Sequence, residues 1–267
     1  MKKNFLCLLI CMFIISCHDK IDSLEEDSWA STRSQIDMVE EEPEKALIEK
    51  PKIFPYTVNV GSEEWKNMSW TEKEQACQLP TEFIDGANSH DLAMACIEYP
   101  MAFAYTFYMD TNPFITSLLE KNNGFASLVK RNDGYMELAK IYESLELSEY
   151  ASEYMYNQSS VLIYPFIELL LGHESIISKF SQEELKWLKR ITVGRYADKL
   201  ANPDVYGLLN IESSMMLFAT IILRDGTPIT DSERELLNLL FDNPGSGIYA
   251  EDFERIAEII TDKSILL

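Results

Sequence analysis

Residues 181–199 read SQEELKWLKRITVGRYADK, and this stretch decides the fold class. Ser181 followed three residues later by Glu184 is a capping box, in which hydroxyl and carboxylate each satisfy a backbone N–H that a helix start leaves without a partner. Beyond it Leu185, Leu188, Ile191 and Tyr196, with Trp187 alongside, recur at helical spacing, while Glu183, Lys186, Lys189, Arg190 and Asp198 populate the other positions. One apolar face at a period near 3.6 predicts a long helix reaching Lys199 and packed on a core.

The same punctuation extends in both directions. Thr71-Glu72-Lys73-Glu74 predicts a second capping box before a helix ending near Gln78. Ser89 caps a helix that must stop before Pro100, because a residue preceding proline is pushed out of the α region. Apolar spacing predicts further helices over 101–109, 112–121, 125–131, 134–145, 149–156, 160–172, 207–223, 231–241 and 250–261. Tyr56–Val60 alternates like a strand but is short and alone, so it is expected as an extended arm lying on the helices. The fold class is therefore mainly α, an irregular bundle of short antiparallel helices joined as αα-hairpins. No repeat of fixed period supports a regular solenoid.

Composition sets the outer bounds. The chain has 267 residues, 46% of them apolar, enough to bury a core. With 23 basic against 44 acidic side chains the net charge is -21, which argues against nucleic acid or anionic lipid as the main partner, since binding polyanions needs clustered Lys and Arg.

The first residues predict an address. Lys2-Lys3, an apolar run from Phe5 to Ile15, then Ser16-Cys17 form a charged region, a short hydrophobic region and a small residue before a cleavage point. The run falls well short of the roughly 20 residues a spanning helix needs. Ile14-Ile15-Ser16-Cys17 resembles a bacterial lipobox, which implies a signal peptide over 1–16 and lipidation of Cys17, anchoring the mature chain to a membrane. Residues 17–50 are expected as an acidic disordered tether, with Glu40-Glu41-Glu42 and few aromatics, and 51–267 as a single helical domain. Asp19, Asp22, Glu25, Glu26 and Asp27, close behind Cys17, resemble the signals that send lipoproteins of Bacteroidota to the outer membrane, facing the periplasm or the outside. Asp22-Ser23-Leu24 resembles the O-glycosylation acceptor of that phylum.

Once Cys7 and Cys11 leave with the signal and Cys17 is acylated, Cys77 and Cys96 remain in an oxidising compartment. A disulfide between them, worth about 3 kcal/mol in the chain-entropy picture, and a pair of buried free thiols both fit. No Cys-x-x-Cys occurs, and no metal or cofactor is expected.

Ala76-Cys77-Gln78-Leu79-Pro80, Ser89 to Pro100, Asn123-Gly124-Phe125 to Asp133, and Ile167-Glu168-Leu169-Leu170-Leu171-Gly172 to Lys199 together resemble a set of all-helical lipoproteins of Bacteroidota, over residues 60–225. Those motifs are packing and capping patterns. The resemblance implies fold and location, and no activity attaches to the set.

Chemistry is sparse by the same reading, and no catalytic residue is assigned. His173-Glu174 begins like a zinc-protease pair, but no second His follows at the needed spacing. Asn243-Pro244-Gly245-Ser246-Gly247 has glycines without the nucleophile-elbow pattern. A Ser–His or Cys–His dyad would have to use His90 or His173, and Cys96 sits six residues from His90 on a poorly matched helix face. Glu168 is the carboxyl in the most unusual setting, among Tyr164, Pro165 and Leu171, and is expected to pair with Arg131, Arg190 or Arg195. Aromatics crowd two hairpins: Phe103, Tyr105, Phe107, Tyr108 and Phe114, then Tyr142, Tyr150, Tyr154, Tyr156 and Tyr164. Most must be core, while Tyr150, Tyr154 and Tyr156 are the candidates to border a binding groove. The expectation is a lipid-anchored, non-catalytic domain for a protein or envelope partner. The alternatives are a glycan- or small-ligand-binding accessory lipoprotein and, third, an enzyme with an unrecognised acid pair.

Overall fold

A computed structural model describes residues 56, 62–108, 110–145, 162–242 and 250–264, all within one compact unit. The expected helix 149–156, Tyr150, Tyr154, Tyr156, Cys17, the signal and tether segments, and residues 57–60 of the expected arm lie outside the described residues. Thirteen α-helices and one 3-10 helix, and no strand, make up the described residues, which is the mainly α class that the periodicity predicts.

The helices are α1 Glu63–Asn67, α2 Trp70–Ala76, α3 Thr81–Gly86, α4 Ser89–Ile97, the 3-10 helix Ala102–Phe107, α5 Asn112–Lys121, α6 Asn123–Lys130, α7 Gly134–Ser144, α8 Ile163–Gly172, α9 Glu174–Ile177, α10 Gln182–Ala201, α11 Pro203–Ile222, α12 Asp231–Asp242 and α13 Ala250–Ser264. Ser181 and Glu184 form the expected reciprocal cap on α10. The other box is shifted: Ser69, not Thr71, caps α2, exchanging hydrogen bonds with Glu72. Asn88 likewise replaces Ser89 as the cap of α4, and Ser89 Oγ instead donates to Asp133, 2.6 Å away. The short helices α1, α3 and α9 escape a reading based on periodicity because each is under two turns long.

Scarce cations close many of the helix ends. Arg131 donates to the carbonyls of Ile84 and Ala87 at the end of α3, both at 2.8 Å. Arg195 donates to Tyr142 O and Glu143 O at the end of α7, at 3.1 and 2.6 Å, and Lys179 donates to Val129 O at the end of α6. Each places positive charge where unsatisfied carbonyls and the helix dipole concentrate negative potential. These tasks explain why neither Arg131 nor Arg195 is paired with Glu168.

Two apolar clusters share the helices α10 and α11. The larger runs from Trp65 of α1 to Leu217 and Ile221 of α11, with Leu92, Tyr105, Phe125, Leu138, Phe166 and Leu170 fully buried. The smaller gathers Tyr196 of α10 with Ile211, Met215, Phe218 and Ile222 of α11, Leu237 of α12 and Ile256 of α13. Leu217 and Ile221 of α11 face the first cluster while Met215, Phe218 and Ile222 face the second. A helix that meets apolar neighbours on two sides must be apolar nearly all round. That is why Pro203–Ile222 is long and apolar enough to cross a membrane, yet is 67% buried inside the protein. Gly207, at φ 67° and ψ 174°, breaks this helix four residues after Pro203, a left-handed backbone that a Cβ would strain.

Candidate functional site

The densest polar chemistry lies where α7, α8, α10 and α11 meet. α10 and α11 run antiparallel through the turn at Asn202, as the contacts of Gln182 with Arg224 at one end and Lys199 with Asn210 at the other require. On α11, Asn210, Ser213 and Ser214 occupy i, i+3 and i+4, one stripe facing α8 and α10. Glu168 of α8 and Lys199 of α10 project into that stripe, with both side chains at 0% exposure.

The Lys199 ammonium straddles the carboxylate, 2.7 Å from Oε1 and 2.8 Å from Oε2. It also donates to Asn210 O at 3.0 Å and Ser214 Oγ at 2.8 Å. Glu168 accepts three hydroxyls as well: Tyr142 at 2.6 Å and Ser214 at 2.7 Å on Oε1, and Ser213 at 2.5 Å on Oε2. Burial pulls the Lys199 pKa below the ordinary lysine value, against the opposing pull of Glu168. Burial, then the field of Glu168, raises the Tyr142 phenol well above its usual range, so it stays a donor.

Ser214 beside an amine of lowered pKa has the contact distance of a serine–lysine pair. The arrangement nevertheless differs from a nucleophilic site in two respects. The amine's protons are shared among four acceptors, leaving it no lone pair to take the serine proton, and the cluster is closed to solvent. Its chemistry is that of a fastener: one ion pair and three hydroxyls join four helices. Glu168 is buried as expected, but its partner is Lys199 rather than Arg131, Arg190 or Arg195. Lys189, expected off the apolar face of α10, also departs from the expectation. It is buried, 2.7 Å from Asp225, and the pair is closed by Thr227, which accepts from Lys189 at 2.9 Å and whose N–H donates to Asp225 at 2.8 Å.

The other candidates are apart from this cluster. Cys77 and Cys96 are free, buried thiols rather than a disulfide, and burial pushes Cys77 up to about 12 and Cys96 upward too, so neither is a ready thiolate. His173 is the N-cap of α9: Nδ1 accepts from the Ser175 N–H, which leaves the proton on Nε2, 3.0 Å from Thr116 Oγ1. Burial lowers its pKa, with Glu174 and Glu120 opposing. His90 lies exposed, 3.2 Å from Glu137. Among the described residues no group of three or more His, Cys, Asp or Glu is gathered that could hold a metal ion.

A surface feature emerges from the first aromatic hairpin. Tyr105 and Phe114 are core, as expected, whereas Phe107 at 69% and Tyr108 at 42% exposure stand out from the end of the 3-10 helix. Phe107 rests edge-on against Phe103 with centroids 5.7 Å apart, and Tyr108 leans on Phe114 at 5.2 Å. Phe114, under Tyr108, is buried, while Phe103, under Phe107, is half-buried. Sequence reading placed all five rings in one group and could not separate ledge from core. No family model matches the chain, nor does any curated protein or any solved structure.

Proposed function

We propose that the chain is a lipid-anchored protein of the cell envelope whose helical domain is a non-catalytic binding module for a protein or other envelope partner. The observation that carries the binding role is the Phe107–Tyr108 ledge, two successive exposed rings that contact the half-buried Phe103 and the buried Phe114. The closed state of the Glu168–Lys199 cluster supports the same reading, because the strongest polar constellation on hand serves packing. Cys17 and the acids behind it support attachment to the outer membrane through a lipid, with the acidic segment as spacer.

The test is quantitative cross-linking and co-purification of the full-length lipidated protein from native membranes, beside Cys17→Ala and a Phe107→Ala/Tyr108→Ser variant. Specific enrichment of one envelope protein that falls at least about fivefold in the ledge variant is the expected result. Equal recovery with and without the ledge would overturn the assigned surface. A glycan ligand is the second reading, favoured by the exposed ring faces, since aromatic side chains stack on sugars. A saturable thermal shift with one sugar class, lost in the same ledge variant, would favour it.

A further inference from the structure

A hollow of about 400 Å³ lies between the exposed side of α10 and the loop that follows α11. Its walls include Glu183, Lys186, Lys189 and Arg190 on one side and Asp225 and Thr227 on the other. The floor is electrically closed, because Lys189 and Asp225 form a buried pair with Thr227 as the third corner. The rim is not. Lys186 and Arg190 stand one helical turn apart on the exposed face of α10. Among the described residues Lys186 pairs with Glu183, an i,i+3 contact at 2.9 Å with side chains 55% and 83% exposed, the kind that contributes little and is easily exchanged.

Arg190 has no hydrogen-bond or ion-pair partner among the described residues. Lys121, Lys130 and Arg234 are open in the same way, but of these cations Arg190 is the one that lines the hollow. Gly226, at φ 78°, turns the loop that forms the opposite wall together with Asp225, Thr227 and Pro228. The volume falls in the range of small-ligand clefts. A planar guanidinium and an ammonium one turn apart match the oxygens of a carboxylate or phosphate group.

We propose that this hollow is a binding site for a small, multiply charged oxyanion, held by Arg190 and Lys186 over the neutral Lys189–Asp225 floor. The site is distinct from the aromatic ledge and does not depend on the function assigned to it.

The test is a titration of the full-length chain in detergent with inorganic phosphate and, separately, citrate, against sodium chloride at matched ionic strength, read by backbone amide shifts. The expected result is saturable shifts confined to 183–190 and 225–228, weakened at least about tenfold in Lys186→Ala/Arg190→Ala, as loss of two charge-assisted contacts requires. Lys121→Ala/Lys130→Ala removes the same charge from exposed positions on α5 and α6 and should leave the titration unchanged. Saturation by either anion supports the site, and the tighter of the two assigns its chemistry to phosphoryl or carboxylate ligands. Shifts that chloride reproduces, that survive Lys186→Ala/Arg190→Ala, or that the control variant removes equally would each overturn it.

Discussion

Replacing Lys199 by Met removes the one ammonium that, among the described residues, pairs with Glu168, and leaves the rest of the fastener in place. The carboxylate is at 0% exposure and keeps three hydroxyl donors, from Tyr142, Ser213 and Ser214. Hydroxyls cannot replace a full countercharge, so breaking such a pair costs about 3–5 kcal/mol. Glu168→Met should be similar, stranding the ammonium with Asn210 O and Ser214 Oγ. The double variant behaves differently, because Ser213 and Ser214 already lie 2.9 and 3.4 Å from Asn210 O and can turn to it. What is then left short is the Tyr142 hydroxyl, a loss of about 1–3 kcal/mol. The two single costs therefore exceed the double by about 3 kcal/mol or more. Urea unfolding at pH 7 measures all four corners of the cycle, and each single variant should melt about 10 °C below the parent. A Lys199→Met cost under about 1 kcal/mol, or single costs that sum to the double within about 0.5 kcal/mol, would refute the reasoning.

Three further outcomes follow from the geometry. Burial holds the folded-state pKa of His173 below its ordinary 6.5, so as pH falls the unfolded chain takes up that proton first and stability declines from about pH 7 downward. His173→Asn keeps a cap and should flatten the difference in urea midpoint between pH 7.5 and 5.5, while a slope unchanged from the parent would rule out His173 as its source. In a Cys7→Ser/Cys11→Ser/Cys17→Ser variant, Ellman's reagent should find no reactive thiol when native and two, Cys77 and Cys96, in guanidinium without reductant, whereas a disulfide would yield none in either. Gly134→Ala should destabilise by about 1–3 kcal/mol, since its Cβ would stand 2.3 Å from the backbone oxygen of Leu128, and an unchanged melting temperature would contradict that close packing.

What the sequence made legible follows from which signals are local. The Ser181–Glu184 box and the apolar stripe after it act within one helix, so α10 could be read directly, as could α5, whose Asn112–Lys121 span matches the expected 112–121. Pairing across helices was not legible. Glu168 could be seen to lie in an apolar run, but Lys199, Ser213 and Ser214 reach it over separations of 31, 45 and 46 residues. Three arginines looked equally suited to Glu168 until Arg131 and Arg195 were found at helix ends, a demand set by how helices abut rather than by local pattern. The capping of α2 was misplaced by two residues because Ser69 and Thr71 are chemically interchangeable there, and the choice falls to the register in which Glu72 can reach back.

The buried pair also answers a difficulty that α11 creates. A helix apolar on nearly every side has little to fix its rotation about its own axis, because leucine, isoleucine, methionine and phenylalanine exchange places in a core at modest cost. Here Leu217 and Ile221 must meet one cluster while Met215, Phe218 and Ile222 meet another, and a rotation by one position would mix the two sets. Thr220 turns its hydroxyl back to Met216 O of the same helix, whereas Asn210, Ser213 and Ser214 form a single stripe whose hydroxyls and carbonyl are committed to Glu168 and Lys199. Turning the helix would remove those groups from a carboxylate and an ammonium that have no water to turn to. Apolar contact thus supplies the adhesion between the two clusters, and the ion pair supplies the angle at which they are joined.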